Sequence, residues 1–149
     1  MTDFAETIRI DAPIKTVWAA LADIGNIAEW NPGVKESHQT TVGDVANGAG
    51  RRCELGGKNY LNEEVVEFDS PSRITFRITD TNMPFKMADI RFNLKAADVG
   101  TEVTVSPLYE LKFGAFGKLL DTLVVKGTYR KGMRELLRGL KNHVENAAP

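Results

Sequence analysis

The sequence predicts an α+β domain: an antiparallel sheet of seven strands, two short helices after the first strand, and one long helix at the C-terminal end. Three observations carry this. Residues 34–111 alternate apolar and polar side chains in runs broken by Gly, Pro, Asn and Asp, as strands with one covered face do. Residues 13–30 and 114–146 switch to helical spacing. No internal repeat or low-complexity block breaks the 149 residues, so a single domain over 1–149 is expected.

Phe4-Ala-Glu-Thr-Ile-Arg-Ile10 carries β-formers and reads as the first strand. Asp11-Ala-Pro13 changes the period, because proline fits the first helical turn, where its missing N–H is not needed. Ile14, Val17, Trp18 and Leu21 then share one helical face. Gly25-Asn26 interrupts it, 27–30 forms a second short turn of helix, and Asn31-Pro32-Gly33 ends that turn. Strands follow at 34–41, 50–56, 59–69, 72–80, 86–97 and 101–111. By apolar parity Cys53 and Leu55 face inward, as do Ile74, Phe76 and Ile78, then Ile90, Phe92 and Leu94, then Val103 and Val105. Strand 59–69 stays ambiguous: Glu64 travels with Val66 and Phe68, whereas Glu63 and Glu67 travel with Val65.

From Gly114 to about Asn146, Leu119, Tyr129, Met133, Leu136, Leu140 and Val144 form one stripe. A helix of that length runs roughly 45 Å, and only a curved sheet wrapped around it can bury the stripe. Gly117, Gly127, Gly132 and Gly139 lie within it, each costing about 1 kcal/mol relative to alanine. They mark close helix–sheet contact, a kink near Gly127, or missing side-chain volume that leaves a cavity.

Nineteen Lys plus Arg against twenty Asp plus Glu give a net charge of −1, so no basic field gathers nucleic acid. Cys53 is the single cysteine, which excludes an internal disulfide and a Cys-based zinc site. The first residues have neither a basic nor an apolar signal region, and no stretch approaches 18 apolar residues. A cytoplasmic monomer or homodimer without a membrane span is expected. There is no dinucleotide or phosphate-binding glycine motif and no Gly-x-Ser-x-Gly elbow. His38 and His143 sit on separate elements, so neither a metal nor a cofactor is expected. Seven basic residues on the last helix (Lys118, Lys126, Arg130, Lys131, Arg134, Arg138, Lys141) against three acidic ones make either a docking face for an anionic partner or a solvated face.

The order β, two short α, six β, one long α resembles the START-like, or SRPBCC, superfamily. The residues that carry the likeness are Ile8-Arg-Ile-Asp-Ala-Pro13, Val17-Trp18-x-x-Leu21-x-Asp23 and Glu29-Trp30-Asn31-Pro32. Glu63-Glu64-Val-Val-Glu-Phe-Asp69-x-Pro71, Gly100-Thr101-x-Val103-Thr104 and Tyr109-Glu-Leu-Lys-Phe-Gly114 add to it. The branch it resembles is the polyketide cyclase/dehydrase and lipid-transport-like group. The resemblance implies a helix-grip fold, in which the seven-stranded sheet curls around the C-terminal helix. It also puts Trp30 near a pocket mouth. The absence of a Cys/His-rich domain speaks against a Rieske-type oxygenase subunit.

A sheet gripping a helix encloses an apolar concave space, the usual setting for a small ligand. The expected wall comprises Trp30, Cys53, Phe76, Ile90, Phe92, Tyr109, Tyr129 and Met133. Met83 and Phe85, in the loop 80–85, form a lid or fold back into the core. Two functions remain open. One is a binding protein for a lipid, aromatic or polyketide-like molecule. The other is a cyclase/aromatase in which Glu64, Tyr109 and Arg51 supply proton transfer and enolate stabilisation.

Overall fold

The computed structural model describes residues 1–147. Its sheet is antiparallel throughout. At one edge stand β1 (Thr2–Asp3) and β2 (Glu6–Ile10), both paired with β8 (Thr101–Leu111). They are one edge strand interrupted where Phe4 turns its ring onto Tyr129, edge-on at 5.6 Å. The expected first strand begins at Glu6 rather than Phe4, and the two-residue β1 ahead of it brings the count to eight. From β8 the sheet continues through β7 (Phe85–Ala96), β6 (Arg73–Thr81), β5 (Asn59–Asp69) and β4 (Gly50–Gly56) to β3 (Glu36–Gln39).

Pro13 precedes α1 (Ile14–Ala22), which buries Val17, Trp18 and Leu21. Trp18 packs on Phe68 of β5 at 5.3 Å. A 3-10 segment, Ile24–Glu29, follows and begins earlier than the Gly25-Asn26 break suggested. Gly25 serves close approach here, since a Cβ would lie 2.7 Å from the Gln39 nitrogen of β3.

The C-terminal helix runs as α2 (Gly114–Leu120), a π-helical turn at Asp121–Val125, and α3 (Lys126–Asn146). The irregularity lies before Gly127 and widens a turn. A π-turn holds about one residue more than an α-turn, which rotates the preceding segment by roughly 100°. Leu119 therefore leaves the expected stripe and is 55% exposed, while Met133, Leu136, Leu140 and Val144 stay buried against the sheet. Gly117 and Gly139 serve close contact: a Cβ would fall 2.3 Å from the Lys112 carbonyl oxygen and 2.0 Å from that of Trp30. At Gly132 the same atom meets nothing within 4 Å.

Part of the basic face is structural. Arg130 and Arg134 donate to Glu6 Oε1 at 2.8 and 3.1 Å, and Lys141 donates to the Arg9 carbonyl at 3.0 Å. Glu145 accepts from the Asp11 amide at 2.7 Å. These contacts tie α3 to β2. Lys118, Lys131 and Arg138 remain exposed. The convex face of the sheet carries cross-strand ion pairs, Arg77–Asp89 at 2.9 Å and Glu67 with Arg73 and Arg91 at 3.5 Å.

Phe76 is 1% exposed and packs edge-on against Phe92 at 6.2 Å. Phe76→Ala is expected to cost about 3–5 kcal/mol in denaturant unfolding. The helix glycines separate in the same assay. Gly139→Ala forces backbone apart at Trp30 and should cost about 1–3 kcal/mol, whereas Gly127→Ala, exposed with nothing within 4 Å of the added carbon, should stabilise by up to about 1 kcal/mol.

Candidate functional site

Between the inner face of the sheet and the C-terminal helix lies a cavity of about 500 Å³. That volume suits a ligand of a few hundred daltons. Alternation on the strands builds most of the wall, because every second side chain points the same way. β4 contributes Arg51, Cys53 and Leu55, and β5 contributes Leu61 and Glu63. β7 adds Ile90 and Phe92, and the helix adds Tyr129, Met133 and Leu136 with the gap at Gly132. Val124 also lines the space while 58% exposed, so the mouth opens at the π-helical turn.

Met83 and Phe85 line the cavity as well. Their loop is tied down: Asn82 accepts from the Tyr60 amide at 3.0 Å and donates to the Lys58 carbonyl at 2.7 Å, and the Lys112 amide donates to the Pro84 carbonyl at 2.9 Å. They form a fixed end wall.

The polar part of the wall is compact. Arg51 and Glu63 are each 4% exposed, and Arg51 Nε donates to Glu63 Oε1 at 2.9 Å. Arg51 Nη1 donates to the Ile24 carbonyl at 3.3 Å, and the guanidinium lies 3.8 Å from the centre of the Phe76 ring. Tyr129 stands across on the helix. Burial, with the Glu63 charge and Tyr109 behind it, pushes its phenol well above the usual range. Burial likewise pushes the Cys53 thiol up to about 12, so it stays protonated at neutral pH.

Of the residues expected on the wall, Cys53, Ile90, Phe92, Tyr129, Met133 and Arg51 lie there. Four lie elsewhere. Glu64 projects to the convex face across from Arg77, and Glu63 takes the inward position. Tyr109 faces inward but sits behind the wall, its ring 5.0 Å from Tyr129 and 5.8 Å from Phe85. Its hydroxyl donates to Asp121, which also accepts from Thr2 Oγ1. Tyr109 thereby anchors the π-helical turn. Phe76 is covered by Arg51. Trp30 lies in an outer groove with Lys35, Glu135 and Arg138, stapling the 3-10 segment to α3. Among the described residues no three His, Cys, Asp or Glu side chains come together as a metal site, and no helix is long and apolar enough to cross a membrane.

Several solved structures share this architecture. A Thermus thermophilus protein superposes with a TM-score of 0.83 at 22% identity, covering 99% of this chain and 100% of that one. A START superfamily protein from Mycobacterium smegmatis does so with 0.81 at 17%, covering 98% and 99%. The Zhui aromatase/cyclase of a Streptomyces species gives 0.76 at 16%, covering 99% and 98%. At these identities the likeness is one of fold. No curated protein matches the sequence. The family model described as polyketide cyclase/dehydrase and lipid transport matches residues 1–145. With that match over nearly its whole length, the chain belongs to the polyketide cyclase/dehydrase and lipid-transport family, and its curled sheet gripping a long C-terminal helix is the fold it shares with the START superfamily protein.

Proposed function

We propose that the protein binds a small hydrophobic molecule, a lipid, aromatic or polyketide-like metabolite, in the cavity between sheet and helix. The observation that supports this most is the unfilled space of about 500 Å³ walled by β4, β5, β7 and a helix that leaves a glycine, Gly132, facing it. We place this activity in the cytoplasm, in a single-domain monomer or homodimer spanning 1–149, with no nucleic acid and no cofactor required. The residues we assign to ligand contact are Cys53, Ile90, Phe92, Tyr129 and Met133, with Arg51 and Glu63 at the polar end.

The pair Arg51–Glu63 favours a second reading, that of a cyclase. In it the Glu63 carboxylate accepts the α-proton of a β-keto chain and Arg51 stabilises the enolate oxygen, with Tyr129 as a further donor. The family and the aromatase/cyclase neighbour support this as they support carriage. Release of a product distinct from the bound molecule, abolished by Glu63→Gln, would mark the enzyme.

Native mass spectrometry of freshly purified protein is the direct test of binding. A retained apolar molecule of a few hundred daltons is expected. A clean mass together with no uptake of any apolar probe would end the binding reading. Gly132→Leu should fill the space: bound mass is lost, while thermal stability holds or rises, since leucine is the better helix former by up to about 1 kcal/mol. Cys53 offers a chemical probe. At pH 8 its thiol should resist an alkylating reagent in the native protein and react at once in denaturant, because the reactive thiolate appears only near the raised pKa of about 12.

A further inference from the structure

We propose that the cavity selects molecules with one uncharged hydrogen-bonding group, a hydroxyl or phenol, over the corresponding carboxylates, and that Arg51 and Glu63 are the specificity-determining pair. This rests on the ligand-binding reading above.

The argument starts from what the two side chains leave unused. Arg51 spends Nε on Glu63, one Nη on the Ile24 carbonyl and one face on Phe76. Its Nη2 has no protein partner among the described residues, and neither has Glu63 Oε2. Yet no fully buried side-chain polar atom among the described residues lacks a partner. Each of these two atoms therefore keeps some contact with solvent, and both side chains line the cavity. The wall thus offers a donor from Arg51 and an acceptor from Glu63, with the Tyr129 phenol across from them on the helix and largely apolar side chains around.

A hydroxyl satisfies both at once, since its oxygen accepts from Nη2 and its hydrogen is donated to Oε2. A hydrocarbon satisfies neither and strands two polar atoms without water, which is costly. A carboxylate can accept from Nη2 but brings a second negative charge against Glu63 where water does not screen it. The positive charge of Arg51 is already matched by Glu63, so none is left over for an anion. A neutral head is the one that this pair completes.

Calorimetry with three probes of one shape tests this: naphthalene, 2-naphthol and 2-naphthoate at pH 7. We expect 2-naphthol to bind roughly tenfold or more tightly than either of the others. Burying a carboxylate is unfavourable in any apolar cavity, so the variants are decisive. Glu63→Gln keeps the shape and removes the negative charge, and should narrow or reverse the preference for naphthol over naphthoate. If that variant fails to fold, the double change Arg51→Met with Glu63→Leu removes both charges together, and should bind naphthalene better than naphthol. Equal affinity of naphthalene and 2-naphthol in the parent protein overturns the inference and leaves the binding reading standing. A preference that neither variant alters does the same. Failure of all three probes to bind overturns both.

Discussion

The C-terminal helix comes backbone-close to the rest of the molecule at two glycines, is tied to β2 by ion pairs between them, and leaves a gap on the side that faces β4 and β5. At Gly139 the helix backbone approaches the Trp30 carbonyl so nearly that no Cβ fits, and at Gly117 it does the same against the Lys112 carbonyl. Asp121 reinforces the second point through Tyr109 and Thr2. Between these points the strands are locked by their own ladder and cannot follow the helix inward. The space opens to solvent beside the exposed Val124 at its rim.

A buried ion pair in such a space needs a reason, because apolar residues of the same size would serve stability as well. Arg51 is fixed by three contacts of different kinds: the Glu63 carboxylate, the Ile24 carbonyl and the Phe76 ring. Each removes freedom from a side chain that otherwise has much of it. The result is a polar site whose geometry is set before anything binds. The 3-10 segment acquires a role here, since its first residue supplies the carbonyl. Two strands of the sheet and the connecting segment meet at one guanidinium.

Most of the fold was legible because its signals are local. The strands beginning at 50, 59 and 101 start and end where turn residues put them. What failed was phase. In β5 the pairing passes from Val65 opposite Phe76 to Glu67 opposite Thr75, leaving Val66 extra. That bulge lets Val65 and Phe68 both face inward. Counting by twos across it links Glu64 to Phe68 and puts the wrong glutamate in the cavity. The π-helical turn does the same to the helix, where one added residue carries Leu119 from the buried stripe to the surface. Bulges and π-turns depend on partners distant in sequence, so no local pattern announces them.

Depth is a separate matter from phase. Tyr109 and Phe76 do face inward, as their parity requires, yet neither borders the cavity. Each is covered by side chains from neighbouring elements: Tyr109 by Tyr129 and Phe85, Phe76 by the guanidinium of Arg51. Alternation states which side of a sheet a residue occupies, and the layer it occupies depends on what crosses above it. Arginine is the residue most apt to mislead here, because its aliphatic stem packs like a core residue while its head travels several ångströms further. At position 51 that reach converts an apolar floor into a polar one. The chemistry of the cavity is thus set less by the residues whose parity is plainest than by the charged pair, Arg51 and Glu63, sharing their face.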